Sequence, residues 1–384
     1  MLYKKTLVAM SLAAALVTGC GSSSSSEKSE VIEPVTGFSF DASELITNIT
    51  TDIIVSGYED LATKASDFHL STLTLLNTPT EESLAAAQLA WQEVRIPWEQ
   101  GEAHIFGPVD ALSIDPHLDT WPLNTSDLQT LLETQSSFTA EEVQGWNDDV
   151  QGFHTMEYLL FGDGVNDNDK SINELTSLER EYLVAAAEVF KGYTDDLYNA
   201  WTINHDGSDS DSPAYQSLLL TPGNDVYSSD LAVVQELING MIGIIDEVAN
   251  GKIADPFGSS IDSIDTSKVE SQYSWNSLAD FTNNIQGVQN VYLGSLTGEA
   301  SVATGLYDFV QAADSATADR IATEISQAIE SIQAISGENN MPFRQAINNA
   351  DGRIRIQVAI DALATVQTSL ENDVLTLLNE WQTN

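Results

Sequence analysis

Apolar residues recur every three or four positions over most of the chain, and this spacing limits the fold more than any other feature. One stripe runs through Leu231, Val234, Ile238, Met241, Ile245 and Val248, and another through Leu363, Val366, Leu370, Val374, Leu377 and Trp381. Such steps place apolar side chains on one face of an α-helix. We find no sustained period-two pattern of the kind that indicates half-buried strands. The sequence therefore predicts an all-α fold made of helical bundles.

The bundles are predicted to form two halves. The chain has 384 residues, of which 42% are hydrophobic and 19% are charged, so it contains enough apolar material for a large core. A polar stretch interrupted by Pro and Gly divides the helical patterns near the middle of the chain. We expect an N-terminal half at 41–203, a connecting loop at 204–228 and a C-terminal half at 229–384.

The charge balance excludes several classes of partner. Lys and Arg total 14 and Asp and Glu total 58, which gives a formal net charge of −44. Nucleic acid is excluded as a partner because a phosphate backbone requires a basic surface. Attachment to anionic lipids through basic patches is excluded for the same reason. The single cysteine, Cys20, allows neither an intrachain disulfide nor a multi-cysteine metal site.

The first twenty residues are predicted to direct export. Two lysines precede an apolar run that is too short to cross a membrane, a pattern typical of a signal peptide at 1–19. The closing letters VTGC resemble a bacterial lipobox, which implies cleavage before Cys20 and lipidation of its sulfur. A Ser-rich tether follows at 20–40, and the acyl chains would attach the protein to a membrane. By the same resemblance, Gly21 implies the outer membrane of the cell envelope, facing the periplasm or the cell surface.

Two ionisable residues occupy an apolar helix stripe between Trp146 and Gly162. His154 and Glu157 lie three residues apart and continue the spacing of their apolar neighbours. Burying them is costly unless they are paired or bind a metal. A His and a Glu at this spacing offer a nitrogen and an oxygen to one cation, as the reversed motif does in carboxylate-bridged bundles. The alternative is a His–Glu hydrogen bond that only orients two helices.

A second candidate region runs from Trp91 to Pro122. Arg95 and Glu102 share a Trp-lined helix stripe, which suggests a partly buried ion pair. The irregular stretch that follows carries His104, Asp110, Asp115, His117 and Asp119. Polar residues on an ordered loop beside a bundle often form a site. The alternative is a solvated acidic loop in a very acidic protein.

At these residues the chain resembles the imelysin family. Residues 152–157, GFHTME, match the GxHxxE signature, and the segments FGPVD at 106–110 and DTWPL at 119–123 resemble the first half of the family. The segments at 276–281 and 290–294 resemble its second half, so the resemblance covers roughly 41–382. It implies an all-helical fold with two bundle-like halves. It also implies an exported bacterial protein, often a lipoprotein, in a family that includes iron-uptake components and was classed as a peptidase family. His154 and Glu157 then inherit the role of a metal motif.

The chemistry of the residues favours binding over hydrolysis. A zinc hydrolase typically needs three protein ligands, an open position for water and a general base. The chain has neither His-Glu-x-x-His nor Gly-x-Ser-x-Gly. Further ligands beside His154 and Glu157 would have to come from Glu102, Asp115, Asp119 or His104, with Arg95 and Asp110 in support.

A His-plus-carboxylate set suits iron at least as well as zinc. The predicted function is therefore binding of iron or haem for bacterial iron acquisition, which implies an uptake partner protein. One alternative is a metallopeptidase in which Glu157 is catalytic. Another is a structural or adaptor protein of the cell envelope.

Overall fold

The computed structural model describes residues 37–296 and 303–382. Its α-helices, in chain order, are α1 (Ser43–Asn48), α2 (Ser56–Asn77), α3 (Glu81–Gly101), α4 (Pro108–Ala111), α5 (Ile114–Asp119), α6 (Thr125–Thr134), α7 (Ala140–Gln144), α8 (Gly152–Phe161), α9 (Ser177–Thr202), α10 (Tyr215–Leu220), α11 (Asp230–Asp246), α12 (Asp255–Phe257), α13 (Ser277–Leu293), α14 (Leu306–Ala313), α15 (Ser315–Ala334), α16 (Phe343–Ala346), α17 (Ala350–Ser369) and α18 (Leu375–Glu380). The prediction of an all-α fold is confirmed.

Shorter helical segments extend or join these helices. Three π-helical segments, Ile49–Val55, Glu247–Ala254 and Leu370–Val374, continue α1, α11 and α17 without a break. The 3-10 turns are Glu102–His104, Asp148–Val150, Ile172–Glu174, Ile261–Ser263 and Thr266–Lys268. The first of these turns directly extends α3 and carries two of the predicted site residues, Glu102 and His104.

Two short strands join the ends of the described chain. β1 (Phe38–Ser39) pairs in parallel with β2 (Trp381–Gln382). The indole nitrogen of Trp381 donates to the backbone oxygen of Phe40 over 3.0 Å. Phe309 of α14 packs edge-on against Phe38, Phe40 and Trp381. The last residues of the predicted tether are therefore part of the packed structure.

The predicted apolar stripes lie in the core. Ten of the twelve residues named in the two stripes are buried, whereas Leu231 and Leu377 are half-buried. Each stripe crosses from an α-helix into a π-helical segment, at Val248 and at Leu370. The stripe residues of both π-helical segments are buried in the core.

One helix start differs from the sequence pattern. Thr78, Pro79 and Glu81 suggest a helix that begins at the proline, but α3 begins at Glu81. Thr80 is its N-cap, and the Thr80 hydroxyl accepts a hydrogen bond from the backbone nitrogen of Ser83 over 3.2 Å. The hydroxyl of Ser83 satisfies the carbonyl of Thr78 over 2.7 Å. A capping box therefore fixes the start two residues later than expected.

Two groups of helices share one core. α2 packs against α3 and α9, and α15 packs against α13 and α17. The groups meet where α13 lies along α3 and where α11 lies along the turn Glu102–His104. Residues 204–228, predicted as a connecting loop, include the short helix α10.

Part of the predicted export region lies outside the described residues. This applies to the signal peptide at 1–19, to Cys20 and to the tether up to residue 36. Within residues 37–296 and 303–382, no helix is long and apolar enough to cross a membrane.

Glycines permit the close approach of the two groups of helices. A Cβ atom added to Gly287 of α13 would lie 2.2 Å from the backbone oxygen of Gln100 on α3. A Cβ atom added to Gly240 of α11 would lie 2.6 Å from the backbone oxygen of Ala103. Real Cβ contacts are not this short. Only glycine at these two positions therefore allows α11 and α13 to lie so close to α3 and its 3-10 extension.

We expect Gly287→Ala to lower the free energy of unfolding by about 1–3 kcal/mol, because α13 must move away from α3. The measurement is urea-induced unfolding followed by circular dichroism. Gly192 of α9 is the matched control, since an added Cβ atom there meets nothing within 4 Å. Gly192→Ala should raise stability by up to about 1 kcal/mol through helix propensity. Equal effects of the two substitutions would contradict a close contact at Gly287.

Candidate metal centre

Arg95 of α3 is the centre of a buried ionic cluster. Its side chain is 1% exposed and contacts carboxylates from four parts of the chain. Nη1 donates to Oδ1 of Asp119 over 2.7 Å, and Nη2 lies 2.8 Å from Oε1 of Glu270 and 3.3 Å from Oδ2 of Asp280. Nη2 also pairs with Glu99, one helical turn further along α3. Arg95 thereby connects α3, α5, α13 and the loop before α13.

Lys252 forms the second cationic point of the cluster. It lies on the π-helical segment after α11, with its side chain 3% exposed. Nζ donates to Oε2 of Glu102 over 2.7 Å and to Oε2 of Glu99 over 3.3 Å. It also lies 3.3 Å from Glu270, so Glu270 joins Lys252 to Arg95. The predicted direct pair of Arg95 with Glu102 is wrong, because Glu102 pairs with Lys252 instead.

His154 enters the cluster through a close contact between α8 and α5. Gly152, the first residue of α8, has φ +72°, and an added Cβ atom would lie 2.5 Å from the backbone oxygen of Leu118. This contact brings Nε2 of His154 to 3.1 Å from Oδ1 of Asp119, an ion-pair distance without hydrogen-bond geometry. The indole nitrogen of Trp98 donates to the other oxygen of Asp119 over 2.6 Å. The glycine of the signature is thus explained by backbone packing.

Both oxygens of Glu157 are engaged by neighbouring groups. Oε2 lies 2.9 Å from Nδ1 of His154. Oε1 accepts hydrogen bonds from the backbone nitrogens of Tyr273 and Ser274, over 2.9 and 2.7 Å, and from the Ser274 hydroxyl over 2.8 Å. Glu157 therefore fixes the ring of His154 and joins α8 to the loop before α13.

The cluster contains more carboxylates than cations. Six carboxylates, those of Glu99, Glu102, Asp119, Glu157, Glu270 and Asp280, surround three basic side chains, those of Arg95, His154 and Lys252. Burial raises the pKa of Glu99 to about 8 and raises that of Glu102 well above its ordinary value. Burial also raises the pKa of Asp280. Burial therefore opposes the ionisation of these three carboxyl groups.

The pKa values of His154 and Asp119 shift in the directions that keep both groups charged. Burial would lower the pKa of His154, but the carboxylates of Asp119 and Glu157 outweigh it and raise the pKa to about 10. Burial likewise opposes ionisation of Asp119, yet the Arg95 guanidinium and His154 hold its pKa well below the ordinary value. His154 is therefore protonated and Asp119 ionised at neutral pH when no other cation is present.

Two overlapping groups of side chains have the spacing of metal ligands. One ligand atom from each of Asp119, His154 and Glu270 lies within 4.8 Å of the others, and the same holds for Glu99, Glu270 and Asp280. The first group offers an imidazole nitrogen and two carboxylate oxygens. The second offers oxygens only, and Nη2 of Arg95 contacts all three of its residues.

The structure places the predicted site residues in three different environments. His154, Glu157, Asp119, Glu102 and Arg95 are together in the buried cluster. His104 is buried, but its Nδ1 lies 3.2 Å from the hydroxyl of Tyr58. Asp110 and Asp115 are exposed on α4 and α5.

Four members of the cluster were not identified from the sequence. Lys252 follows Val248 by four positions and so continues the apolar stripe of α11, a signal that a buried cation leaves in the sequence. Glu99 follows Arg95 by four positions, and Asp280 lies on the buried face of α13. Glu270 lies on a loop, where no periodicity marks a buried carboxylate.

Comparison with known proteins relates this chain to the imelysin family. The profile of the imelysin family matches residues 54–370. The iron-regulated protein A of Synechococcus elongatus is 30% identical over 341 residues, which are 87% of this chain and 87% of that protein.

Two solved structures have a similar fold. A protein of Parabacteroides distasonis, described as an iron-regulated protein A precursor, has a TM-score of 0.76 and 28% identity, over 88% of this chain and 95% of that one. An imelysin-like protein of Psychrobacter arcticum has a TM-score of 0.67 and 15% identity, over 89% of this chain and 98% of that one. The second likeness concerns the fold alone.

We expect Arg95→Met to lower the free energy of unfolding by about 3–5 kcal/mol, because it leaves several buried carboxylates without their cation. Urea-induced unfolding at neutral pH measures the change. Arg320→Met is the control, since Arg320 is 42% exposed and pairs with Glu324 and Asp373 at the surface. That substitution should cost no more than about 1 kcal/mol. Similar losses in both variants would argue against Arg95 as the centre of the cluster.

The buried imidazole of His104 should cause a specific loss of stability in acid. Burial lowers its pKa to about 4 in the folded chain, below the value of 6.5 for a free histidine. The unfolded chain therefore takes up a proton first, and the free energy of unfolding falls by roughly 3 kcal/mol as the pH drops through this window. In His104→Gln the loss between about pH 7 and about pH 4 should be smaller by that amount. An unchanged acid loss in urea titrations would exclude His104 as its source.

Proposed function

The chain belongs to the imelysin family, and from this premise we propose that it binds an iron ion at the buried cluster and takes part in bacterial iron acquisition. The observation that carries the proposal is the group of Asp119, His154 and Glu270, with one ligand atom of each within 4.8 Å of the others. A relative that is 30% identical is named an iron-regulated protein. Both observations support a role connected with iron.

The donor atoms fit an iron ion. One imidazole nitrogen and two carboxylate oxygens make a set that suits iron, and the excess of carboxylates supplies the charge that a divalent cation requires. Nε2 of His154 has no hydrogen-bond partner in the described residues, although it is buried. Arg95 contacts Asp119 and Glu270 at the same time and so keeps these two ligands close together.

Glu157 supports the site through His154. Metal-binding histidines usually pair their other ring nitrogen with a carboxylate, which fixes the orientation of the ring. Glu157 does this at Nδ1, and three hydrogen-bond donors hold its second oxygen. In the proposed site His154 is a ligand, and Glu157 is the residue that positions it.

The same contacts argue against two alternatives. A peptidase would need a free carboxylate as general base, whereas the oxygens of Glu157 accept hydrogen bonds from four donor groups of neighbouring residues. Haem binding through His154 would need its imidazole nitrogen to be open to the porphyrin iron. The ring of His154 lies between two carboxylates and is 2% exposed, an arrangement better suited to a bare ion than to a haem.

We further propose that the protein acts in the cell envelope. The pattern of residues 1–20 supports export and lipidation at Cys20, with attachment to the outer membrane on its periplasmic or outer face. A binding protein held there would pass iron to an uptake partner. The tether would let the helical body reach that partner while the anchor stays in the membrane.

Titration of purified residues 21–384 with Fe²⁺ under anaerobic conditions, followed by calorimetry, tests the site. We expect stoichiometric binding in the unaltered chain and loss of measurable binding in His154→Ala, which removes the nitrogen ligand. Glu157→Gln keeps a hydrogen-bonding side chain but loses the carboxylate, so its affinity should fall by about 10–100-fold.

His205→Ala, which changes a histidine of the 204–228 loop, should bind Fe²⁺ like the unaltered chain. Circular dichroism and urea-induced unfolding would establish that each variant is folded. If His154→Ala bound Fe²⁺ normally, the site would be wrongly assigned. If no variant and no unaltered chain bound Fe²⁺, while His154→Ala was only less stable, the cluster would be a structural clamp between helices.

A further inference from the structure

A cavity of about 290 Å³ opens between α11 and the end of α3. Its walls include Phe106, Glu236, Gly243 and Glu247, and Glu102 also lines it. Glu102 is 6% exposed and is a member of the buried cluster, whereas Glu247 is exposed. The cavity therefore extends from the solvent-exposed face of α11 to one carboxylate of the cluster.

The α11 side of the cavity has acids at its ends and glycines between them. Glu236, Gly240, Gly243 and Glu247 recur at steps of four, three and four, which places them on one face of the helix and its π-helical continuation. Gly240 lets the helix approach the backbone of Ala103, but an added Cβ atom on Gly243 would meet nothing within 4 Å. The two glycines thus differ, because one permits helix packing and the other borders open space.

Two further acids interact electrostatically with the glutamates of the cavity wall. The carboxylate of Asp110 acts on Glu236, and that of Glu247 acts on Asp115, which lies on α5. Asp110 and Asp115, two of the predicted site residues that lie outside the cluster, therefore add to the negative charge near this cavity.

The inner end of the cavity leads to the proposed iron ligands in two steps. Oε2 of Glu102 lies 2.7 Å from Nζ of Lys252, and Nζ lies 3.3 Å from Glu270. Glu270 belongs to the group with Asp119 and His154. The ammonium group of Lys252 thus links Glu102, which lines the cavity, to Glu270.

We propose that this acid-lined cavity is the route by which a divalent cation enters and leaves the buried centre. The inference rests on the proposed iron site and adds its access route, with Glu236 and Glu247 as the residues that attract the cation. A passage lined by charges of one sign concentrates ions of the opposite sign and raises their rate of association. Lys252 closes the inner end as long as its ammonium group pairs with Glu102 and Glu270.

The test measures rates of Fe²⁺ uptake and release in the chain that begins at residue 21. Uptake is followed by the fluorescence of the tryptophans, one of which, Trp98, contacts Asp119. Release is followed by the colour that forms when the loaded protein is mixed with excess ferrozine. Gly243→Leu should narrow the cavity and slow both rates by a similar factor, about tenfold or more, because the added side chain obstructs the passage. The equilibrium affinity should then stay within about twofold of the unaltered value.

Charge is tested separately in Glu236→Gln, Glu247→Gln and the double variant. We expect uptake to slow by about three- to tenfold in the double variant, with release nearly unchanged, and the difference should shrink at high salt. Gly192→Leu and Glu330→Gln are the matched controls. Gly192 lies on α9 with open space around it, and Glu330 is exposed on α15. Both controls should retain the unaltered rates.

The outcomes separate this inference from the proposed function. Normal rates in Gly243→Leu and in the double variant, with binding still abolished in His154→Ala, would overturn the access route and leave the iron site standing. Absence of Fe²⁺ binding in the unaltered chain would overturn both. Equal slowing in Gly192→Leu and Gly243→Leu would also overturn the route, because the effect would not depend on the cavity.

Discussion

The burial of one guanidinium group determines how the two groups of helices fit together. Arg95 is 1% exposed, and a buried charge is tolerated only when it is paired and hydrogen-bonded. Its partners come from α3, α5, α13 and the loop before α13, so no single helix can satisfy it. The glycine contact that brings α13 onto α3 delivers Asp280 to the guanidinium, and the contact of α8 with α5 brings His154 to Asp119, another partner of Arg95. Helix packing and ion pairing therefore require each other in this fold.

Stability alone does not account for the composition of the cluster. Replacing buried ion pairs by apolar residues of similar volume is often neutral or stabilising, so a cluster of nine ionisable side chains is a costly way to join helices. A clamp between helices would also be expected to balance its charges. Here the carboxylates outnumber the basic groups, and burial, with smaller contributions from Glu270 and Asp280, raises the pKa of Glu99 to about 8. Such an excess suits a centre whose charge is completed by a cation from outside.

The helical fold can be predicted from the sequence, but only part of the buried cluster can. Period-three and period-four stripes predict the helices because burial acts along a local repeat, and the GxHxxE spacing marks His154 and Glu157 for the same reason. The role of Glu157 could not be predicted, since its partners Tyr273 and Ser274 lie more than a hundred positions away. Glu270 gives no local signal because its burial depends on a loop that reaches the cluster. Lys252 was detectable in principle as a cation in an apolar stripe.

Cargo and resident metals place different demands on a protein. A resident metal can be sealed in the core, whereas an ion that is taken up and passed on must exchange with solvent. The 2% exposure of His154 alone would suit a sealed site. The cavity beside α11 changes this conclusion, because Glu102 belongs both to its wall and to the cluster. Lys252 pairs with this shared carboxylate, and its long side chain has the rotatable bonds that a change of partner requires. A buried centre that shares a residue with a solvent-facing cavity fits the proposed exchange of iron better than permanent retention.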